Sequence, residues 1–253
     1  MHNILILGGT TEARQLAERL AGCKDLNVTL SLAGRTRSPI AMPVPVRSGG
    51  FGGAEGLARW VQDNEVGLLI DATHPFAANM SRNAAEASGR AGIPLLALRR
   101  PAWQRQKGDR WIETESPAAA IAALGKSSRR VFLALGRQEA HVTENAPWHH
   151  YLVRSVEPID PPLSVPHASH ILDRGPFDER ADLKLLRDHR IDAVVAKNSG
   201  GTASYAKIAA ARALGIEVMM IQRPDVPDVP AAADIDAALE AIGHALGLAF
   251  RGV

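Results

Sequence analysis

Two stretches of the chain set groups that can hold an anion or move a proton directly behind an apolar run. The first is Ile4-Leu5-Ile6-Leu7 followed by Gly8-Gly9-Thr10-Thr11-Glu12-Ala13. Four apolar residues in a row suit a strand buried on both faces. Ala13, Leu16, Ala17 and Leu20 then recur at helical spacing, with Thr10 as the cap and Glu12 in the first turn. Strand, glycine turn and helix in that order aim backbone N–H groups and a helix N-terminus at one spot, where a phosphate binds. Gly8, Gly9, Thr10, Thr11 and Glu12 are therefore the candidate phosphate-holding residues. The turn is not the usual G-x-G-x-x-G, because a glycine pair stands without a third glycine. Ala13 is left to do the close helix–strand packing. The same residues also make a tight strand–helix turn with no ligand.

The second stretch is Val66-Gly67-Leu68-Leu69-Ile70, which runs into Asp71-Ala72-Thr73-His74-Pro75-Phe76-Ala77. Ligands of open α/β sheets lie beyond the carboxyl ends of the strands, where this cluster falls. Asp71 and His74 orient a ligand or each other, and Thr73 offers a hydroxyl. Ala72, Thr73 and His74 are placed on the cofactor side and Asp71 on the substrate side. No Gly-x-Ser-x-Gly elbow exists for a serine nucleophile. A lone loop histidine is more often a hydrogen-bonding group than a catalyst.

The elements around these stretches indicate the ligand. Asn27 to Ala33 reads as a second strand, ending in Gly34-Arg35-Thr36-Arg37. An acidic residue at that position favours NAD, whereas an arginine accommodates the additional phosphate of NADP. Gly34 and Arg35 thus point to NADPH, the alternative being surface arginines in solvent. Beyond them, Gly49-Gly50-Phe51-Gly52-Gly53 either lets the backbone approach a ligand, through Gly50 and Gly52, or forms a flexible connection.

A later unit echoes the Asp71 unit. Strand Ile191 to Ala196 leads into Lys197-Asn198-Ser199-Gly200-Gly201, then an alanine-rich helix, Gly215-Ile216, an apolar strand and Arg223-Pro224. The earlier unit closes in the same way, with Gly92-Ile93, a strand and Arg100-Pro101. The matched order suggests two α/β halves facing each other across a cleft, a favoured ligand position. Lys197, Asn198, Ser199 and Gly200 would line its far wall, unless the turn is structural and Lys197 lies in solvent. The domains are expected at 1–100 and 101–253, with a closing helix, about Ala231 to Leu246, over the second sheet.

Composition narrows the class. The 253 residues are 46% hydrophobic and 22% charged, as expected of a folded chain of one large or two small domains. One cysteine, Cys23, permits no internal disulfide and fits a reducing compartment. No apolar stretch spans a membrane, and no basic-then-apolar leader is present, so a cytoplasmic protein is expected. A net charge of +2 with no long Lys/Arg run argues against nucleic acid. His167-Ala168-Ser169-His170 has metal-like spacing but no supporting ligand set, so no metal is expected. Gly125-Lys126-Ser127 lacks the upstream glycine of a phosphate loop and precedes a strand.

Taken together, the pieces resemble the precorrin-6A reductase family of cobalamin biosynthesis. The resemblance is carried by Leu7-Gly8-Gly9-Thr10-Thr11-Glu12-Ala13-Arg14, Ser31-Leu32-Ala33-Gly34-Arg35, Gly49-Gly50-Phe51-Gly52 and Asp71-Ala72-Thr73-His74-Pro75-Phe76-Ala77. Gly136-Arg137-Gln138, Arg174-Gly175-Pro176-Phe177 and Lys197 to Gly201 with Tyr205-Ala206-Lys207 complete it. It runs nearly the whole chain, and Ala13 departs from an expected glycine. The resemblance implies two Rossmann-like domains with parallel sheets flanked by helices and an active cleft between them. It also implies hydride transfer from NADPH to a ring double bond of a tetrapyrrole polycarboxylate, with no metal or flavin. Arg137 and Lys197 suit the substrate's carboxylates. His74, Lys197, Tyr205 and Lys207 are chemically able to supply the proton, as are water and a substrate nitrogen. A nucleotide-sugar-type transferase and a non-catalytic dinucleotide sensor of similar build are the alternatives. The transferase would consume no NADPH, and the sensor would bind it without turnover.

Overall fold

The computed structural model describes residues 1–34 and 41–248. The chain forms two compact units, Met1–Pro101 together with the stretch from Pro224 onward, and Ala102–Arg223.

The first unit begins with β1 (His2–Leu7), α1 (Thr11–Leu20), β2 (Leu26–Leu32) and β3 (Val46–Ser48). It continues with α2 (Gly53–Asp63), β4 (Val66–Asp71), α3 (Ala78–Ala91) and β5 (Leu95–Leu98). The second unit holds β6 (Arg110–Thr114), α4 (Pro117–Ala123), β7 (Arg130–Ala134), a short 3-10 helix (Ala140–Asn145), β8 (His150–Ser155) and β9 (Ala168–Leu172). α5 (Glu179–Asp188), β10 (Ala193–Lys197), α6 (Ala206–Leu214) and β11 (Glu217–Ile221) complete it. The chain then returns to the first unit as β12 (Ala231–Ala232) and α7 (Ile235–Leu246).

Both sheets are six-stranded and parallel throughout. The first runs β12-β5-β4-β1-β2-β3 and the second β6-β11-β10-β7-β8-β9. Setting β7 against β1 and β10 against β4 makes the two orders correspond. The sixth place is taken by β12 in the first sheet and by β6 in the second. Each sheet therefore has the doubly wound arrangement whose chain reverses direction beside its first strand, between β1 and β4 or between β7 and β10. Loops at that reversal part and leave a crevice beyond the carboxyl ends.

Pleating explains why β1 is apolar without interruption. Ile4 and Ile6 pack with Leu16 and Leu20 of α1 and with Leu239 and Ile242 of α7. Leu5 and Leu7 face the other way, onto Leu57 and Val61 of α2 and Ala84 and Ala87 of α3. In the second unit Phe132, Val194 and Met220 pack with Leu186 of α5 and Ile208 of α6. The echoed Gly-Ile pairs have a shared cause. Gly92 and Gly215 close α3 and α6 at φ 68° and 66°, a conformation that favours glycine, and the isoleucine begins the approach to the next strand.

The expected parallel α/β architecture in two parts is the one observed, but the closing helix is on the other sheet. Pro230 O accepts from Ala97 N–H and Ala232 O from Arg99 N–H, both at 2.8 Å. These bonds fasten the returning strand to β5, and α7 follows it onto the β1 layer. The boundary expected at 100/101 lies beside the first crossing, while the stretch after Arg223 belongs with the N-terminal residues.

Candidate functional site

In the first unit the crevice lies between the ends of β1 and β4, where Leu7 pairs with Asp71. Gly8 N–H donates to Ser31 O at 2.8 Å, and Ala72 N–H to Leu7 O at 2.9 Å. Thr10 joins the two turns. Its buried hydroxyl accepts from Ala13 N–H at 3.1 Å, capping α1, and donates to Ala72 O at 2.9 Å. A Cβ at Gly8 would stand 2.6 Å from Leu30 Cδ1, so the end of that buried side chain would have to shift to admit it. Gly9, at φ +116°, has nothing within 4 Å of a built Cβ among the described residues, so they leave the space above it open. The N–H groups of Thr11 and Glu12 find no acceptor among the described residues, as at the start of any helix, and are available to a ligand. Glu12 does not leave that spot negative, because Arg100 holds its carboxylate at 2.5 Å.

The polar cluster after β4 is mostly turned inward. Asp71, 4% exposed, accepts at Oδ1 from the Thr73 N–H and hydroxyl at 3.1 and 2.7 Å, and at Oδ2 from the Ser81 hydroxyl at 2.6 Å. His74 Nδ1 accepts from Phe76 N–H at 3.2 Å, so the neutral ring carries its proton on Nε2. Beyond β3, the glycine loop is pinned. Arg47 donates to Gly49 O at 2.9 Å and to Gly50 O at 3.1 Å, and Gly49 N–H bonds Leu32 O at 2.9 Å.

In the second unit the corresponding ends belong to β7 and β10. Lys197, the register counterpart of Asp71, pairs with Glu139 of the segment after β7. Arg137 pairs with Glu157 at 3.0 Å. Asn198 is buried, and its amide is matched to the Trp103 backbone, accepting from N–H at 2.8 Å and donating to C=O at 3.0 Å. Arg223 donates to the carbonyls of Asn198 and Ser199 at 2.9 and 3.1 Å, and the Trp103 indole to Gly201 O at 2.7 Å. Gly200 and Gly201, at φ 68° and 69°, give the turn its shape. Behind it, Lys207 is buried and donates to Ser204 O at 2.5 Å. Burial pushes its ammonium down to about 7, nearby Arg154 acting in the same direction and Asp182 against it. Arg154 and Asp182 are themselves a buried bidentate pair at 2.5 and 3.1 Å.

The sequence matches the family described as precorrin-6x reductase CbiJ/CobK over residues 3–243. The chain belongs to the precorrin-6x reductase family. It is 56% identical to the precorrin-6A reductase of a Sinorhizobium species, over 95% of this chain and 92% of that one. With the precorrin-6A reductase of Rhodobacter capsulatus the identity is 48%, over 96% and 94%. The solved structure of a CobK precorrin-6A reductase matches with a TM-score of 0.93 at 45% identity, covering both chains completely.

For a precorrin-6x reductase the geometry sorts the residues singled out from sequence. Gly8, Gly9, Thr10, Thr11, Glu12, Ala72, Thr73 and His74 come together at one crevice of the first unit. Gly34, with a built Cβ 3.4 Å from Gly49 N, lies next to the loop of Gly50 and Gly52. Arg35 lies outside the described residues. Arg137, Lys197, Ser199 and Gly200 follow β7 and β10 at the carboxyl end of the second sheet. Two residues expected to meet substrate make scaffold contacts here: Asp71 accepts from Thr73 in its own turn and from Ser81 of α3, and Asn198 is matched to Trp103. Tyr205 accepts from Arg212 at 2.8 Å and packs edge-on to Trp103, and Lys207 is enclosed, so both brace the turn. His167 stacks on His150 at 4.3 Å, and His170 lies exposed on β9. Sequence reasoning missed Ser81, Trp103 and the supporting role of Arg223. Only Arg223 left a trace, in the repeated Arg-Pro.

Proposed function

We propose that this protein reduces precorrin-6A to precorrin-6B with NADPH, adding one hydride and one proton across a ring double bond. The observation that carries the reading is the Gly8–Glu12 turn of a precorrin-6x reductase, open above Gly9 and with N–H groups lacking acceptors at the sheet's reversal point. These features fit a pyrophosphate: small residues admit it, a helix N-terminus attracts it, and Arg100 offsets the charge of Glu12. NADPH, when bound, supplies the hydride.

The chain's own groups bind and orient. Gly8 to Glu12 hold the pyrophosphate. Gly34, Arg35, Gly50 and Gly52 face the adenosine half, Arg35 favouring the phosphorylated cofactor. Ala72, Thr73 and His74 are assigned to the nicotinamide half, with His74 as a positioning group. Arg137, Lys197, Ser199 and Gly200 meet the carboxylates of the tetrapyrrole, which requires Lys197 and Arg137 to exchange Glu139 and Glu157 for substrate.

Anaerobic incubation with precorrin-6A tests this. Nicotinamide absorbance should fall with NADPH and much less with NADH, and the product mass should rise by two hydrogens. NADPH binding without consumption when precorrin-6A is present would reject the reductase reading.

A further inference from the structure

Arg47 is a half-buried cation that the proposed function does not use. Arg47 lies on β3, paired in register with Ser31 near the carboxyl end of β2. In a doubly wound unit that end lies beside the adenosine ribose. Its guanidinium donates to Ser31 Oγ and Gly49 O, both at 2.9 Å, and to Gly50 O at 3.1 Å. All three acceptors are neutral. No carboxylate pairs with it among the described residues, and two of its five N–H groups have no acceptor there. Its plane is fixed as well. The Phe51 ring lies 3.8 Å below Cζ, and Phe51 is in turn held edge-on by Trp60 at 5.8 Å. Burial lowers the guanidinium pKa, yet arginine stays charged at working pH. Ser31 also holds the phosphate turn, through its carbonyl and Gly8 N–H. The end of β2 and the two residues after it, Ser31-Leu32-Ala33-Gly34, include no acid to repel an anion.

We propose that Arg47 is a specificity-determining residue that recognises the phosphate on the adenosine 2′ position of the cofactor. The inference rests on the NADPH reading above. A standing positive charge with two remaining donors in a locked plane suits a phosphate dianion. A guanidinium needed only to brace the glycine loop would gain nothing from lacking an anionic partner.

Two probes isolate the claim, because adenosine 2′,5′-bisphosphate and adenosine 5′-monophosphate differ only in the 2′-phosphate. Their dissociation constants are measured by calorimetry on the full-length wild type, Arg47→Gln and Arg47→Lys. Glutamine keeps donors for the glycine carbonyls and removes the charge; lysine keeps the charge and removes the fork. The wild-type preference for the bisphosphate should fall about tenfold or more in Arg47→Gln and by less in Arg47→Lys, with monophosphate binding nearly constant. If one variant fails to fold, the other decides. An unchanged preference in a folded variant overturns the proposal, as does equal weakening of both probes, which would mean loop bracing alone. A wild type that binds neither the probes nor NADPH would instead overturn the cofactor reading itself.

Discussion

Replacing Thr10 with valine removes one oxygen from the point where the two turns of the first unit meet. The hydroxyl caps α1 through Ala13 N–H and donates to Ala72 O. Loss of an N-cap costs about 1 kcal/mol. The Ala72 carbonyl belongs to a residue 1% exposed, so it is left buried without its donor. That omission adds roughly 1–3 kcal/mol, giving a total of about 2–4 kcal/mol. Thr10→Ser keeps both bonds and should stay within about 1 kcal/mol of wild type. Urea unfolding measures the stability, and an NADPH titration run beside it measures the site. Thr10→Val should lose stability and bind NADPH about tenfold or more weakly, because the first turn of α1 is no longer held against the β4 turn. Wild-type stability would refute the bridge between the turns. Lost stability with intact NADPH affinity would refute the placement of the pyrophosphate at α1.

Lys207 predicts a pH dependence of stability. Its pKa is about 7 in the folded chain and about 10.4 when unfolded, so between these values the unfolded state holds a proton that the folded state has released. Stability should rise with pH across that window and be lowest below about 7, and Lys207→Met should flatten the rise and stabilise the acid side by roughly a few kcal/mol; parallel urea midpoints for the two proteins would contradict the enclosure of the ammonium. Lys197→Ala should raise KM for the tetrapyrrole or lower kcat while NADPH binds almost normally, and steady-state constants equal to wild type would remove Lys197 from the substrate site. His74→Ala should lower activity by roughly tenfold or less, since general acid catalysis is usually worth about a hundredfold or more; a loss of that size with a vanished pH limb near neutrality would make His74 the proton donor.

Much of this was legible because local chemistry left little choice. Ile4 to Leu7 are apolar on both faces since both faces are covered, and Thr10 reads as a cap since its hydroxyl serves as one. Helices α3 and α6 begin only at Ala78 and Ala206, several residues beyond the ends of β4 and β10. Asp71 and its bonds to Thr73 hold one turn open, and the positive φ of Gly200 and Gly201 delays the other. Strands β3, β6, β8 and β9 escaped notice. β3, β6 and β9 are edge strands with exposed positions, and β8 sits in a stretch rich in proline that reads as irregular. The destination of β12 could not be read at all, because Ala231–Ala232 is too short to mark a sheet and only the bonds to β5 assign it. The roles of Asp71 and Asn198 were hidden for a related reason. A polar residue in a turn looks the same in sequence whether it faces a ligand or the backbone, and here Ser81 and Trp103, distant along the chain, decide.

The most direct test of the central claim, that NADPH sits on the turn after β1, is an equilibrium NADPH titration of Gly9→Val beside wild type, with circular dichroism to show that both are folded. A Cβ at Gly9 meets no atom of the described residues, so the side chain would project into the space above the turn, on a backbone at φ +116° that disfavours valine. The account predicts a folded variant that no longer binds NADPH. A folded Gly9→Val protein that binds NADPH with wild-type affinity would contradict it.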